Sequence, residues 1–326
     1  MARLLRNVLL FTVRVTLKIR VLGFWALVYS CCAFYTCIVL LKLLWSIIRR
    51  PLKTFQWVIR ETPPACLNDT SLGTHCYVRI KESGLRFHYV AAGEKGKPLM
   101  LFLHGFPEFW FSWRHQLREF KTEFRVVAVD MRGYGESDVP AGREHYRLDY
   151  LVTDVKDIVE YLDYTLRHPS QLVKSSYFFF FQLSRFPEFM FTIDDFKAIK
   201  YLFTSQTTGI GRKGCQLTSE DIDAYMYVFS QPGALTGPLN YYRNAFSFLP
   251  LKQEEVKSPV LLLWGERDAF LEQEMVEISR LYIKNHFRLN IISGASHWLQ
   301  QDQPDIVNTL IWTFLKEGES RENYRN

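Results

Sequence analysis

Several things are scarce or missing in this sequence. Six cysteines in 326 residues are too few and too irregularly spaced for a disulfide scaffold. No Asp or Glu occurs before Glu61. No Gly-x-Ser-x-Gly is present, which argues against a serine esterase, and Ser137 sits in a different kind of turn. A phosphate-binding glycine-rich lysine loop is also lacking, so nucleotide use is not expected. No cofactor is implied and no metal cluster stands out by spacing. Internal repeats and low-complexity segments are missing too.

What the chain does have is apolar and aromatic surface: 48% hydrophobic residues, 16% aromatic, with 26 Phe and 17 Tyr. That composition excludes a disordered chain and suits a protein that meets a membrane interface and lines an apolar cavity. The formal charge is +6. Its excess gathers in Arg3, Arg6, Arg14, Lys18, Arg20, Lys42, Arg49, Arg50, Lys53 and Arg60, around one uncharged run. No basic stripe recurs later, so nucleic acid is not the expected partner.

That uncharged run is 21–41, VLGFWALVYSCCAFYTCIVLL. A helix rising about 1.5 Å per residue would carry it across a hydrocarbon core of about 30 Å. The basic segment before it is long and no small-residue cleavage site follows, so a retained signal-anchor is expected rather than a removed leader. Basic residues flank both ends, with a slight lean toward a cytoplasmic N-terminus. The expectation is a single-pass type II protein of the endoplasmic reticulum, with the lipid bilayer as partner. The one Asn-x-Ser/Thr sequon, Asn68-Asp69-Thr70, would then be a glycosylation site. Cys31, Cys32 and Cys37 read as small hydrophobes in the span, Cys66 and Cys76 could pair on an oxidising side, and Cys215 has no visible partner.

Beyond Pro63-Pro64 the pattern changes. Tyr77–Lys81 and Leu85–Ala91 around Ser83-Gly84 predict a hairpin. The apolar runs Leu99–Leu103 and Phe124–Asp130, with a helix from Gln116 between them, predict a βαβ unit. Residues 148–162 carry helical spacing, and 170–250 show aromatic helical patterns broken by Pro and Gly. Strand character returns at Val260–Trp264 and Arg288–Ile292, and Pro304–Lys316 predicts a terminal helix.

Two motifs carry a resemblance. His104-Gly105-Phe106-Pro107-Glu108, followed by Trp110 and Ser112-Trp113-Arg114, resembles the oxyanion loop of the α/β-hydrolase epoxide hydrolases. Asp130-Met131-Arg132-Gly133-Tyr134-Gly135-Glu136-Ser137-Asp138 resembles the turn after their next strand. The likeness covers roughly 75–318 and implies an α/β-hydrolase fold with a helical cap, preceded by one transmembrane helix. It divides the chain into a basic segment 1–20, anchor 21–41, linker 42–74, core 75–164, cap 165–250, core 251–318 and polar tail 319–326.

In that family an Asp opens an epoxide to give an alkyl-enzyme ester, and a His paired with an acid activates water to release a vicinal diol. The resemblance assigns the base to His297, its acid to Asp268, and the tyrosines that hold the epoxide oxygen to Tyr242 and Tyr177, with Tyr241 as fallback for Tyr242. It assigns an oxyanion N–H to Phe106, and Pro107 and Trp110 to the pocket wall. The substrate it implies is an apolar epoxide. The chain departs from the family between Tyr161-Leu162-Asp163-Tyr164 and Thr165-Leu166-Arg167-His168-Pro169, where no Gly-x-Asp-x-Gly-Gly elbow is found. Asp163 and Asp130 do not replace that nucleophile, because neither follows a strand into a tight turn and helix. The expectation drawn is that the central strands and nucleophile elbow are deleted, some 40–45 residues by comparison with the family. The chain would then be a shortened, exon-skipped or mispredicted product without activity, or a non-enzymatic membrane protein associating with a full-length relative.

Overall fold

Apolar alternation and parallel runs organise the chain around two sheets in the computed structural model, which describes residues 2–79, 83–147, 171, 174–211, 214–244 and 255–323. Strands β1 (Thr74–Arg79) and β2 (Arg86–Ala92) form the expected hairpin. β3 (Leu99–Leu103) and β4 (Arg125–Val129) pair in parallel, and the strand order is β1-β2-β4-β3. β5 (Val260–Gly265) and β6 (Phe287–Ile292) form a parallel two-stranded sheet.

Helix α1 (Ala2–Arg49) precedes the sheets, and its segment Lys18–Arg49 is long and apolar enough to cross a membrane. Val28 and Cys32 on one face are buried against Phe178 and Phe179, while Leu22, Leu27, Phe34 and Leu41 stay exposed. This helix therefore offers one stripe to the cap and leaves much of its remaining apolar surface exposed. A single segment would be hard to keep in water with that much apolar surface uncovered, whereas a bilayer accommodates it.

α2 (Arg114–Phe120) is the crossover helix between β3 and β4. It buries Leu117 and Phe120 against Val126 and Ala128 of β4, Val90 of β2 and the ring cluster Phe109, Trp110 and Phe111. Each such side chain contributes on the order of 1.5–3 kcal/mol of transfer free energy. The cap comprises α3 (Tyr177–Phe181), α4 (Phe186–Thr204), α5 (Ser219–Ser230) and α6 (Thr236–Arg243). α5 begins with a capping box, in which Thr218 Oγ1 accepts from the Asp221 N–H and Asp221 accepts from the Thr218 N–H. α4 breaks at Ile193–Phe196, where Asp194, Asp195 and Phe196 have positive φ. The break is secured by Asp195, whose carboxylate binds Arg60 at 2.8 Å and Lys200 at 2.8 Å.

Two glycine contacts set the cap and loops on the core. A Cβ on Gly237 of α6 would lie 2.4 Å from the Gly133 carbonyl oxygen, so the cap approaches the turn after β4 backbone to backbone. A Cβ on Gly265 would lie 2.2 Å from the Ser296 carbonyl oxygen. The ends of β5 and β6 can thus come together. The chain closes with α7 (Met275–Tyr282) and α8 (Pro304–Asn323), the latter running seven residues beyond the expected Lys316.

This architecture corrects the expectation of a fold with its central strands and elbow deleted. Six strands are present with the helical cap between them, and no deletion is shown among the described residues. The expected helix 148–162, Asp163 and the cap entrance Thr165–Pro169, on which that reading turned, lie outside the described residues. β3 has β4, and β5 has β6, as a registered parallel partner. Cys66 and Cys76 are free thiols, and the Cys66 Sγ faces the Glu220 carbonyl oxygen at 3.7 Å instead.

Candidate active site

The loop after β5 carries Asp268 and the loop after β6 carries His297, so two parallel neighbours deliver both side chains to one end of their sheet. His297 Nδ1 donates to Asp268 Oδ2 at 2.8 Å. The other Asp268 oxygen accepts from the Phe270 and Leu271 N–H groups at 2.8 and 2.9 Å, which fixes the carboxylate before the imidazole meets it. That orientation leaves His297 Nε2 as the ring atom able to take a proton. Burial opposes charge on His297, but the Asp268 hydrogen bond and carboxylate, with added pull from Glu108, hold its pKa above the ordinary histidine value. For Asp268, burial is outweighed by His297 and the two N–H donors, and its pKa is lowered.

Aromatic rings connect this pair to the cap. Phe270 packs on His297 with ring centroids 5.1 Å apart and on Tyr177 at 6.4 Å. Tyr177 meets Tyr242 edge to face at 5.8 Å, and Tyr242 meets Phe106 at 5.6 Å. The structure therefore brings Tyr177, Tyr242, Phe106 and His297 to one aromatic cluster. α6 is tied to α3 by Gln182 Nε2 donating to the Tyr242 carbonyl, and Arg243 clamps Glu188 with two 2.8 Å bonds. Tyr241 turns elsewhere, since its hydroxyl donates to the Arg132 carbonyl at 2.9 Å.

The loop bearing Phe106 is anchored at both ends. His104 Nε2 accepts from the Met131 N–H at 3.0 Å, which ties the end of β3 to the end of β4. Burial holds the imidazole below its ordinary pKa, and an Nε2 that accepts the Met131 N–H carries no proton. Pro107 and Trp110 are buried, and the Trp110 N–H donates to Asp130 Oδ1 at 3.0 Å. Trp110 packs on Phe109 and Phe111, so it belongs to the core cluster. Asp130 also accepts from His88 at 2.7 Å, and is a buried structural acceptor. Asn68 ends a short helical turn and is exposed.

Glu108 was not singled out by the sequence reading. It is buried, and its Oε1 accepts from Gln300 Nε2 at 2.7 Å and Gln301 Nε2 at 2.9 Å. Burial raises its pKa above the ordinary value. Gln301 in turn accepts from Arg114 at 2.7 Å and contacts the Tyr225 hydroxyl, so one polar network joins the loop after β3, α2, α5 and the residues after His297. The signal was the glutamate within the motif itself, but its partners lie about 190 residues away.

One glycine spacing also bears on nucleotide use. Gly209-Ile210-Gly211-Arg212-Lys213-Gly214 reads Gly-x-Gly-x-x-Gly. It follows helix α4 rather than a strand, and a Cβ on Gly209 would sit 2.5 Å from the Phe203 carbonyl oxygen. Its first glycine serves close backbone packing, and the context of a dinucleotide fingerprint is missing.

Comparison with known proteins agrees with this geometry. The alpha/beta hydrolase fold family matches residues 98–168. Epoxide hydrolase 4 of Homo sapiens is 60% identical over 347 residues, covering 93% of this chain and 96% of that protein. Epoxide hydrolase 3 of Xenopus tropicalis is 43% identical over 356 residues, covering 96% and 97%. The crystal structure of a mutant epoxide hydrolase from Bacillus megaterium superposes with a TM-score of 0.64 at 27% identity, covering 74% of this chain and 100% of that one. The expectation of a chain disabled by a deletion is corrected here too, because the β5 and β6 loops and the cap assemble the His–Asp pair beside the tyrosines. On these matches and this fold, the chain belongs to the epoxide-hydrolase family of α/β-hydrolase proteins.

Proposed function

We propose that the chain hydrates an apolar epoxide to a vicinal diol at the His297–Asp268 pair. The observation that carries the reading is the 2.8 Å Nδ1–Oδ2 bond standing one ring away from Tyr177 and Tyr242. His297 Nε2 takes a proton from water, and Asp268 stabilises the resulting imidazolium. The Tyr177 and Tyr242 hydroxyls hold the epoxide oxygen and give it a proton as the ring C–O bond breaks. The Phe106 N–H stabilises an oxyanion, and Pro107 and Trp110 shape and back the pocket wall. Water attacks the epoxide carbon directly, or it attacks the carbonyl of an ester that a carboxylate has first formed with that carbon. Both routes end in the same diol, with the imidazolium proton restored to the tyrosine.

The aromatic lining and an anchor packed on the cap favour a membrane-dissolved substrate. We read the placement as single-pass type II in the endoplasmic reticulum, with Asn68 accessible to glycosylation on the lumenal side. The test is epoxide hydration by membranes carrying the chain beside an equally expressed His297→Ala variant. Hydration above background that disappears in the variant supports the reading, and equal rates overturn it. A single turnover in oxygen-18 water separates the routes, since direct attack labels the diol and an ester route leaves the first diol unlabelled.

A further inference from the structure

The β1–β2 register creates a second histidine pair beside Asp130. Tyr77 pairs with His88 and His75 pairs with Val90, so His75 and His88 are diagonal neighbours on one face of the hairpin. Their rings lie nearly parallel, with His75 Nδ1 and His88 Nε2 2.9 Å apart. Glu136, in the turn after β4, brings a carboxylate oxygen to the same place, and all three ligand atoms lie within 4.8 Å of one another.

The outer nitrogens decide what can occupy that gap. His88 Nδ1 faces Asp130 Oδ2 at 2.7 Å. The two Asp130 oxygens also accept from the Trp110 and Glu136 N–H groups, so this carboxylate acts as an acceptor and His88 Nδ1 must carry the proton. His75 Nε2 faces the Leu67 carbonyl oxygen at 3.0 Å, and a carbonyl can only accept. With both outer nitrogens donating, the inner Nδ1 and Nε2 of neutral rings point lone pairs at each other. Two lone pairs at 2.9 Å repel unless a proton or a metal ion lies between them, and the nearby Glu136 carboxylate gives a metal ion a third ligand. The outer carboxylate and carbonyl are the partners that orient metal-bound imidazoles and raise their basicity.

We propose that His75 Nδ1, His88 Nε2 and a Glu136 carboxylate oxygen form a zinc(II) site that clasps β1, β2 and the turn after β4. Two imidazoles and one carboxylate suit zinc, with water completing a tetrahedron. Zinc–nitrogen bonds of about 2.0–2.1 Å would place the two nitrogens about 3.3 Å apart, a few tenths of an ångström wider than they stand. The role is structural. Trp110 sets its ring edge on His75 at 5.2 Å and its N–H on Asp130, so the clasp would also stiffen the oxyanion loop.

The test uses the full chain in detergent, stripped with a chelator and titrated with zinc ions against a chromophoric competitor. One equivalent is expected to bind, with affinity at least about tenfold weaker in both His75→Ala and Glu136→Gln and unchanged in His297→Ala. Zinc should also raise the unfolding midpoint of the parent chain and not of His75→Ala. His75 lies at the surface, and circular dichroism checks that each variant is folded; if His75→Ala unfolds, Glu136→Gln decides alone. Binding that persists in both variants, binding that His297→Ala abolishes, or no binding by the parent chain overturns the proposal.

Discussion

His297 Nδ1 and Asp268 Oδ2 meet at 2.8 Å although 29 residues separate them, because β5 and β6 are parallel neighbours whose following loops open on the same edge. Asp268 is already held by two backbone N–H groups, so the imidazole is oriented by a carboxylate that cannot swing away.

Replacing that carboxylate tests the pair. Asp268→Asn should lower kcat by about 10³–10⁴-fold with the fold retained, as loss of an orienting acid does in related arrangements. His297 must be neutral to accept a proton, and its pKa is held above the ordinary histidine value. The rate should therefore rise with pH along a limb displaced upward from that of free imidazole. In Asp268→Asn the limb should move down. For stability the sign is opposite: the raised His297 pKa contributes most at low pH, and that contribution disappears as pH climbs through the folded-state value. A pH–rate profile of both proteins reads the first effect directly.

The neighbouring tyrosines should behave differently. Tyr241→Phe removes a hydroxyl bonded to the Arg132 carbonyl and should cost about 1 kcal/mol of stability while leaving kcat nearly unchanged. Tyr242→Phe and Tyr177→Phe should each lower kcat by about 10²-fold, consistent with loss of a general acid. Steady-state kinetics and thermal unfolding on the same preparations separate the two classes.

Glu108→Ala leaves the Gln300 and Gln301 amides without their shared acceptor inside the core. The expected loss is about 1–3 kcal/mol, or a fall of several degrees in Tm. Because Glu108 also pulls the His297 pKa upward, the pH–rate limb of this variant should shift slightly down. An unchanged Tm would show that the network is not supporting the oxyanion loop.

Asp195 sits at the break in α4 and is held well below the ordinary carboxylate range, chiefly by the Arg60 hydrogen bonds and then by Lys200, against the effect of burial. A depressed carboxylate contributes stability above its unfolded pKa and loses it as pH falls through the folded value. The cluster is about one third exposed, so solvent screening limits it to about 1 kcal/mol and salt should weaken it. Asp195→Asn should flatten the acid limb of the stability–pH curve, measured by denaturant unfolding.

Sequence alone determined the elements whose burial pattern is local. The run Leu99–Leu103 is a strand with the bounds its apolar residues predict, and β5 and β6 differ from expectation by one residue at an end. The apolar stretch within α1 was equally legible, because a bilayer-length run without charge needs no tertiary partner to be recognised. His297, Asp268, Tyr242 and Tyr177 were candidates only through the resemblance, each on a short turn or helix whose neighbours travel with it. Tertiary structure alone decided that these four share one cluster, that Tyr242 rather than Tyr241 faces it, and that Glu108 binds Gln300 and Gln301. It also showed six registered strands where a gap in the expected motif order suggested a broken sheet. The physical reason is range: burial periodicity and turn chemistry act within a few residues. Strand register, a backbone approach such as Gly265 to Ser296, and the pairing of His75 with His88 exist only once distant segments have been brought into contact.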